Sequence, residues 1–360
     1  MNTDLKTIRL PKEIELSRQH NPKDQLDTQD LQHFDTKTLF YDFFIDQSGE
    51  HLLGIGPPAM NLSQYIRTAK LFVNGEKQKF AFQDLPEYKL SFLKTAAPKG
   101  HGVSIELIFS DFHETFYIPQ NNASQKRRIL AAISKNNAAE WVATWADFHR
   151  HNYGLDDVIV YDNGSDNIQE LEIALDGKAK IINWNFPYGP PGKRFNKFAQ
   201  PGALNHCLRK FCRRGTLFNF DIDELLIANP PTLEEEIKRN KTVYIDSHNV
   251  PKTKNLTSPY THYDFKLRDV ERRKKARKFV CSEATVDIIS QHNTWKHSKI
   301  PFTKKLRRNK PKKLESDHAY FLHFLGITTN WQPSLGKLNI VPKDNLTEDE
   351  SHIKRKPPEQ

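Results

Sequence analysis

Asp221-x-Asp223 is where side-chain type and spacing in this chain most directly suggest chemistry. Two carboxylates at a strand end are hard oxygen donors of the kind that hold a divalent cation, and such a cation neutralises a diphosphate. Alternate residues of an extended chain point to opposite faces, so both carboxylates reach one ion only where the strand has turned or water bridges the gap. A helix cap or a simple turn explains the same three residues. Two more polar loops follow apolar runs: Ser134-Lys135-Asn136-Asn137, and Asp162-Asn163-Gly164-Ser165-Asp166-Asn167. The second contains Asn-Gly, which by itself is turn chemistry. Three polar loops behind three apolar runs, two of them acidic, form a constellation that no one of them forms alone.

The elements that must position these loops are legible as periodicity. Ile129 to Ile133 is an apolar run suited to a buried strand, and Val158-Ile159-Val160-Tyr161 is a second. Between them Trp141, Trp145 and Phe148, with Val142 beside them, predict an amphipathic helix over 138–151 that Gly154 ends. A helix near 166–176, a strand over 181–184, a Pro- and Gly-rich loop at 186–192 and a helix over 198–213 follow. Leu217, Phe218 and Phe220 then lead into Asp221. Strands alternating with helices predict an α/β domain over 123–340 with a Rossmann-like, mostly parallel sheet, and ligands at the carboxyl ends of its strands. Upstream, Val103, Ile105, Leu107 and Phe109 alternate with polar residues. Leu71-Phe72-Val73, Asn74-Gly75 and a run ending Phe80-Ala81-Phe82 predict a hairpin. These mark a small antiparallel β domain, sandwich-like, over 34–122. Residues 1–33 read as a loosely held polar lead-in and 341–360 as a polar tail.

Composition excludes several classes. The 360 residues carry a net charge of +10 and only three cysteines, Cys207, Cys212 and Cys281, with no C-x-x-C pair. A disulfide scaffold and a cysteine-rich zinc module are excluded, and a reducing cytoplasm suits the chain. No run of 18 apolar residues predicts a membrane span, and the first residues lack the apolar core of a secretory signal. Gly54-Ile55-Gly56-Pro57-Pro58-Ala59 matches a dinucleotide loop by letter, but Pro57 and Pro58 remove the N–H donors a pyrophosphate needs. No P-loop and no H-E-x-x-H helix occurs. The positive charge is concentrated in 266–313, with 17 basic and 4 acidic residues. Its clusters are Arg272 to Lys278 and Lys304 to Lys313. A solvated face is one reading; an anionic partner is the other, whether a nucleotide diphosphate, an acidic polymer or a membrane surface. Nucleic acid fits poorly, because few aromatics stand in the clusters to stack on bases.

The stretch from about 127 to 227 resembles the catalytic core of family 92 glycosyltransferases and their family 2-like bacterial relatives. The blocks that carry the resemblance are Trp141 through His149 with Gly154, Val160 through Asp166, Gln200 with Leu204 through Arg209, and Phe220 through Leu225. Lys278-Phe279-Val280, the segment ending at His292, and Phe321-Leu322-His323-Phe324 extend it to about 330. The resemblance implies a GT-A fold, a nucleotide-sugar donor (usually a UDP-sugar) and Mn²⁺ or Mg²⁺. Asn136 and Asp162 would meet the base and ribose. Asp223, with Asp221, would hold the metal, and His323 would be an extra ligand. Gln200 and Asn205 would line the sugar-nucleotide pocket, and Lys278 would balance the phosphates. An inverting outcome needs a carboxylate base; Glu283 and Asp287 stand at the matching place, with Asp246 and Asp264 competing. Cys281-Ser282-Glu283 departs from the proline-containing element of the relatives. A glycan or lipid-linked acceptor of cell-surface polysaccharide synthesis (capsule or lipopolysaccharide), handled in the cytoplasm at the inner face of the membrane, completes the expectation. The alternatives are a catalytically idle relative that binds carbohydrate or acts as a scaffold, and a nucleic-acid binder through 266–313.

Overall fold

The computed structural model describes residues 4–46, 48–100, 102–120, 126–191, 196–212, 214–240, 242–252, 256, 258–299, 306–309, 314–327 and 345–358. The chain divides into two compact units, Met1–Gln125 with Asn183–Arg213, and Lys126–Ile182 with Arg214–Gln360.

The first unit contains two four-stranded antiparallel sheets. One runs Asp42–Ile45, His51–Gly56, Leu90–Ala96, Ala81–Leu85; the other runs His113–Ile118, Val103–Ile108, Lys70–Val73, Glu76–Gln78. Phe43, Ile45, Leu52 and Leu93 from the first share one core with Leu71, Val73, Ile105 and Leu107 from the second, as strand alternation predicts for a sandwich. Asn74 and Gly75 both take positive φ (52° and 81°) and close the predicted hairpin. Its return arm is shorter than expected: Ala81 and Phe82 cross to the other sheet and pair with Lys94 and Leu93.

Two segments fall differently from the sequence reading. The supposed lead-in is built into this unit, with Ile8 paired to Phe40 and the buried Arg18 donating to the carbonyls of Pro58, Asp35 and Thr38. One guanidinium satisfies three buried carbonyls, which no hydrophobic pattern announces. The segment 183–213, assigned to 123–340 by its alternation, clusters instead with residues 1–125. There Trp184 packs on Tyr41 with ring centres 4.9 Å apart, and His206 and Lys210 each lie 2.8 Å from the buried Asp42 carboxylate.

The second unit is organised on one eight-stranded sheet. Its strands, numbered along the chain, are β1 (Arg128–Ser134), β2 (Asp157–Asp162), β3 (Lys180–Asn183), β4 (Thr216–Asn219), β5 (Glu224–Ala228), β6 (Thr242–Val250), β7 (Arg273–Ser282) and β8 (Leu314–Phe324), in the spatial order β3-β2-β1-β4-β7-β6-β8-β5. The helices are α1 (Ala139–Tyr153), α2 (Ile168–Leu175) and α3 (Pro230–Asn240). Gly154 ends α1 at φ 54°, as its position predicts. Strand β1 is parallel to β2 and β4, and β6 to β8, whereas β4/β7, β6/β7 and β5/β8 are antiparallel. The sheet is therefore mixed, not mostly parallel. The helix–strand alternation continues through α3 to β6 and then stops: β7 follows β6 with no α-helix between them among the described residues and lies antiparallel beside it. The presumed polar tail is also structured. Leu346–Glu348 pairs with Leu267–Asp269, and His352 is buried. Among the described residues no helix is long and apolar enough to cross a membrane.

Candidate functional site

Because β1, β2 and β4 are parallel, with Ser134 level with Asp162, their carboxyl ends open on one edge of the sheet. The three polar loops follow these carboxyl ends, the place where an α/β sheet presents ligand-binding loops.

Behind β4 the chain turns sharply, and Ile222 dictates how. Its side chain joins the apolar core of the unit, so its two aspartate neighbours are directed away from that core. The turn is closed by Asp221 N–H donating to Glu224 Oε2 (2.8 Å) and Glu224 N–H donating to Asp221 O (3.0 Å). His262 Nε2 donates to Ile222 O (2.8 Å), and Phe324 N–H donates to Asp223 O (2.8 Å). The two aspartates are engaged separately. Asp221 Oδ2 accepts from Lys278 Nζ at 2.6 Å and from Gln291 Nε2 at 3.2 Å, while Asp223 Oδ2 lies 3.2 Å from His323 Nε2.

Strand pairing supplies the third partner. Glu224 opens β5 directly opposite His323 of β8, and opposed residues of an antiparallel pair share a face. Asp223, Glu224 and His323 each offer one ligand atom, all within 4.8 Å of one another. A cation about 2.0–2.3 Å from each ligand needs roughly that spread, so the residues fit one divalent ion. The expected set was Asp221, Asp223 and His323; the structure groups Glu224 with the last two and leaves Asp221 with Lys278. An imidazole among carboxylates suits Mn²⁺ better than Mg²⁺. Glu224 follows the D-x-D pair directly in sequence, but its relevance depends on the β5/β8 register, which no local pattern reveals.

Charge at the site is balanced from within. Burial works against the Lys278 ammonium, yet Asp221 and Glu224 (3.2 Å) hold its pKa above the ordinary lysine value. Burial likewise opposes the Asp221 carboxylate, and Lys278 overrides it, keeping that carboxyl below its usual range. Glu224 is pushed up to about 8 by burial, against the pull of Lys278. His323 rises above the ordinary imidazole value because Asp223 outweighs burial. Asp223 thus favours the protonated imidazole, and a bound cation would displace that proton. Lys278, expected to face phosphates, is fully buried and occupied by two carboxylates of its own chain.

The other two loops are stitched together. Asn136 donates its N–H to Ser165 Oγ (2.9 Å) and its amide exchanges hydrogen bonds with Asp166, so its side chain serves loop closure. Asp162 is buried at the end of β2. Its Oδ2 accepts from the N–H groups of Gly164 and Ser165 (both 3.1 Å), and its Oδ1 has no hydrogen-bond partner among the described residues. Gln200 and Asn205 belong to the helix Ala199–Lys210 of the other unit. There Gln200 accepts from Tyr188 OH (3.1 Å) and Asn205 donates to Pro201 O (2.7 Å).

Among the carboxylates considered as a base, Glu283 is at the wrong end of the sheet. In the β4/β7 pair, Asn219 meets Phe279 beside Lys278, whereas Thr216 meets Ser282. Glu283, whose N–H donates to Gly215 O, therefore lies beyond the amino end of β4, about 13 Å of strand away from Asn219, where the turn begins, and it accepts from Arg214 N–H at 3.2 Å. Asp287 opens the hairpin that brings Gln291 to Asp221, its own N–H donating to Trp295 O. Asp246 pairs with Arg277 (3.0 Å) and Arg272 (3.8 Å), and Asp264 caps the turn at Thr261. Much of the first basic cluster is likewise spent internally: besides those arginines, Arg273 lies 3.5 Å from Asp269 and Lys278 is buried. Of the second cluster, Lys304, Lys305, Lys310, Lys312 and Lys313 lie outside the described residues.

The turn rests on neutral histidines. His149 accepts from Leu226 N–H and donates to Trp145 O, and burial depresses it to about 4; burial depresses His262 to about 3. Both are neutral when folded and titrate near 6.5 when unfolded, so the unfolded chain binds more protons below pH 6.5. Their stabilisation is complete above that value and is lost as pH falls towards 4. Each contributes a slope of about 1.4 kcal/mol per pH unit in that window. In urea melts between pH 6 and 5, His149→Gln should flatten the slope by that amount; an unchanged slope would show that His149 does not carry it.

No family model and no curated protein matches the chain. Among solved structures, the crystal structure of S. aureus TarS residues 1–349 is similar at 14% identity and a TM-score of 0.27, covering 44% of this chain and 47% of that one. The chain thus spans about half the length of that structure, at a score too low for the likeness to support the site.

Proposed function

We propose that the protein is a metal-dependent glycosyltransferase that takes a nucleotide sugar, UDP-linked, and passes the sugar to a glycan or lipid-linked acceptor in polysaccharide synthesis at the cytoplasmic face of a membrane. The observation that carries this reading is the Asp223–Glu224–His323 ligand set on the edge of the sheet where the polar loops gather. Two of the sequence blocks that resemble family 92 glycosyltransferases, Val160 through Asp166 and Phe220 through Leu225, fall on the same strand ends. A Mn²⁺ held there would neutralise the diphosphate as it leaves the sugar. The chain's own residues do the rest of the binding. Asp162 presents a buried carboxylate oxygen, without a hydrogen-bond partner among the described residues, to a hydroxyl or N–H of the nucleoside. Lys278 holds Asp221 and Glu224 in place instead of touching phosphate.

The test is hydrolysis and thermal-shift binding of UDP-, GDP-, TDP- and CMP-sugars with and without Mn²⁺. Mn²⁺-dependent turnover of a UDP-sugar is the expected result, and no metal-dependent turnover or binding of any donor would overturn the reading. Asp162→Asn should weaken UDP by roughly 1–3 kcal/mol, the usual cost of a charge-assisted hydrogen bond; unaltered UDP affinity in calorimetry would remove Asp162 from the nucleoside site.

A further inference from the structure

We propose that the C-terminal segment 345–356 fixes the geometry of the Asp221–Asp223 turn through His352 and His262, which makes these two histidines positioning residues for the cation site. The inference rests on the metal reading above for its functional meaning, but its geometry stands independently.

The segment is tied to both ends of β5. At the far end Arg355 Nη1 donates to Ala228 O (2.6 Å), and Asn152 of α1 donates to Arg355 O (3.0 Å). At the near end His352 Nε2 donates to His262 O (3.0 Å), and His262 Nε2 donates to Ile222 O (2.8 Å). Asp349 adds an anchor beside the site: it accepts from Arg268 Nε (2.5 Å) and from Tyr320 OH (3.2 Å), three residues before His323 in β8.

Ile222 O sits between the two functional carboxylates. Rotating the peptide that follows it would swing Asp223 away from His323, so the partner of this carbonyl decides where Asp223 points. His262 is well placed to be that partner. It is wholly buried, and its backbone is set by the Thr261–Asp264 capping box. Its ring meets Phe324 edge-on at 4.9 Å, and Phe324 N–H holds Asp223 O. Its Nδ1 has no partner among the described residues, so the imidazole acts as a single donor aimed at Ile222. A buried carbonyl deprived of its donor moves to find another, and here that motion would carry Asp223 with it.

The experiment uses the full chain with His262→Leu, His262→Gln and His352→Leu. Mn²⁺ affinity is read by calorimetry, and amide hydrogen exchange is read in peptides covering 220–226 and, as control, 128–134. His262→Leu should weaken Mn²⁺ about tenfold, the equivalent of one lost hydrogen bond to a buried carbonyl, and should speed exchange at 220–226 without changing 128–134. His262→Gln keeps an N–H donor and should recover part of both, and His352→Leu, one link further out, should show a smaller loss of the same kind. Wild-type affinity and exchange in both leucine variants would overturn the proposal, as would exchange that rises equally in the control strand. If His262→Leu does not fold, His352→Leu decides alone. If the wild-type chain binds no Mn²⁺, the metal reading fails, and unchanged exchange at 220–226 would then sink the positioning role separately.

Discussion

Asp223→Asn is expected to abolish Mn²⁺-dependent binding of the nucleotide sugar while the chain still folds. The substitution keeps side-chain size and leaves an oxygen that accepts from His323, but it removes the anionic ligand. Loss of an outer-shell partner alone costs a metal site about 10–100-fold in affinity, so loss of a ligand should exceed about 100-fold. Glu224→Gln should show a loss of similar size, because Glu224 stands in the same ligand group. Asp221→Asn should show a smaller one, because Asp221 is engaged with Lys278 and Gln291. Calorimetry that ranks Asp221 above Glu224 would restore the ligand set expected from sequence and refute the one assigned here. His323→Gln should weaken Mn²⁺ more than Mg²⁺, since the imidazole is the ligand that favours the transition metal.

Lys278→Met should cost about 3–5 kcal/mol of stability, the usual penalty for removing one partner of a buried ion pair. The ammonium is fully buried between Asp221 and Glu224, and without it Asp221 loses the neighbour that keeps its carboxyl ionised against burial. Burial has already raised the Glu224 pKa to about 8 with Lys278 present, and loss of the ammonium would raise it further. The double variant Lys278→Met/Asp221→Asn should recover part of the loss, because it removes the charge that the ammonium had balanced. A urea melt within 1 kcal/mol of wild type, with donor affinity reduced, would instead make Lys278 a phosphate contact, as its sequence position suggests.

The α/β alternation from Ile129 to Phe220 was readable from the chain alone, because amphipathic and apolar periodicities are local. So were the Asn74-Gly75 hairpin turn, Gly154 at the end of α1, and the gathering of polar residues behind three strands, since turn chemistry and parallel topology place them without knowledge of distant residues. The resemblance to family 92 glycosyltransferases also rests on order along the chain. What the tertiary structure decided is of another kind. Glu224 becomes a ligand candidate only because β5 pairs with β8 in a register that sets it opposite His323. Lys278 becomes a buried counter-ion, and Glu283 is carried away from the turn, only because β7 lies antiparallel beside β4. Arg18, His206 and His352 read as ordinary polar residues until the carbonyls and carboxylates they satisfy, remote in sequence, are known. Periodicity records which face of an element meets the core. It carries no record of which distant strand lies beside that element, and a buried charge acquires its role from that neighbour.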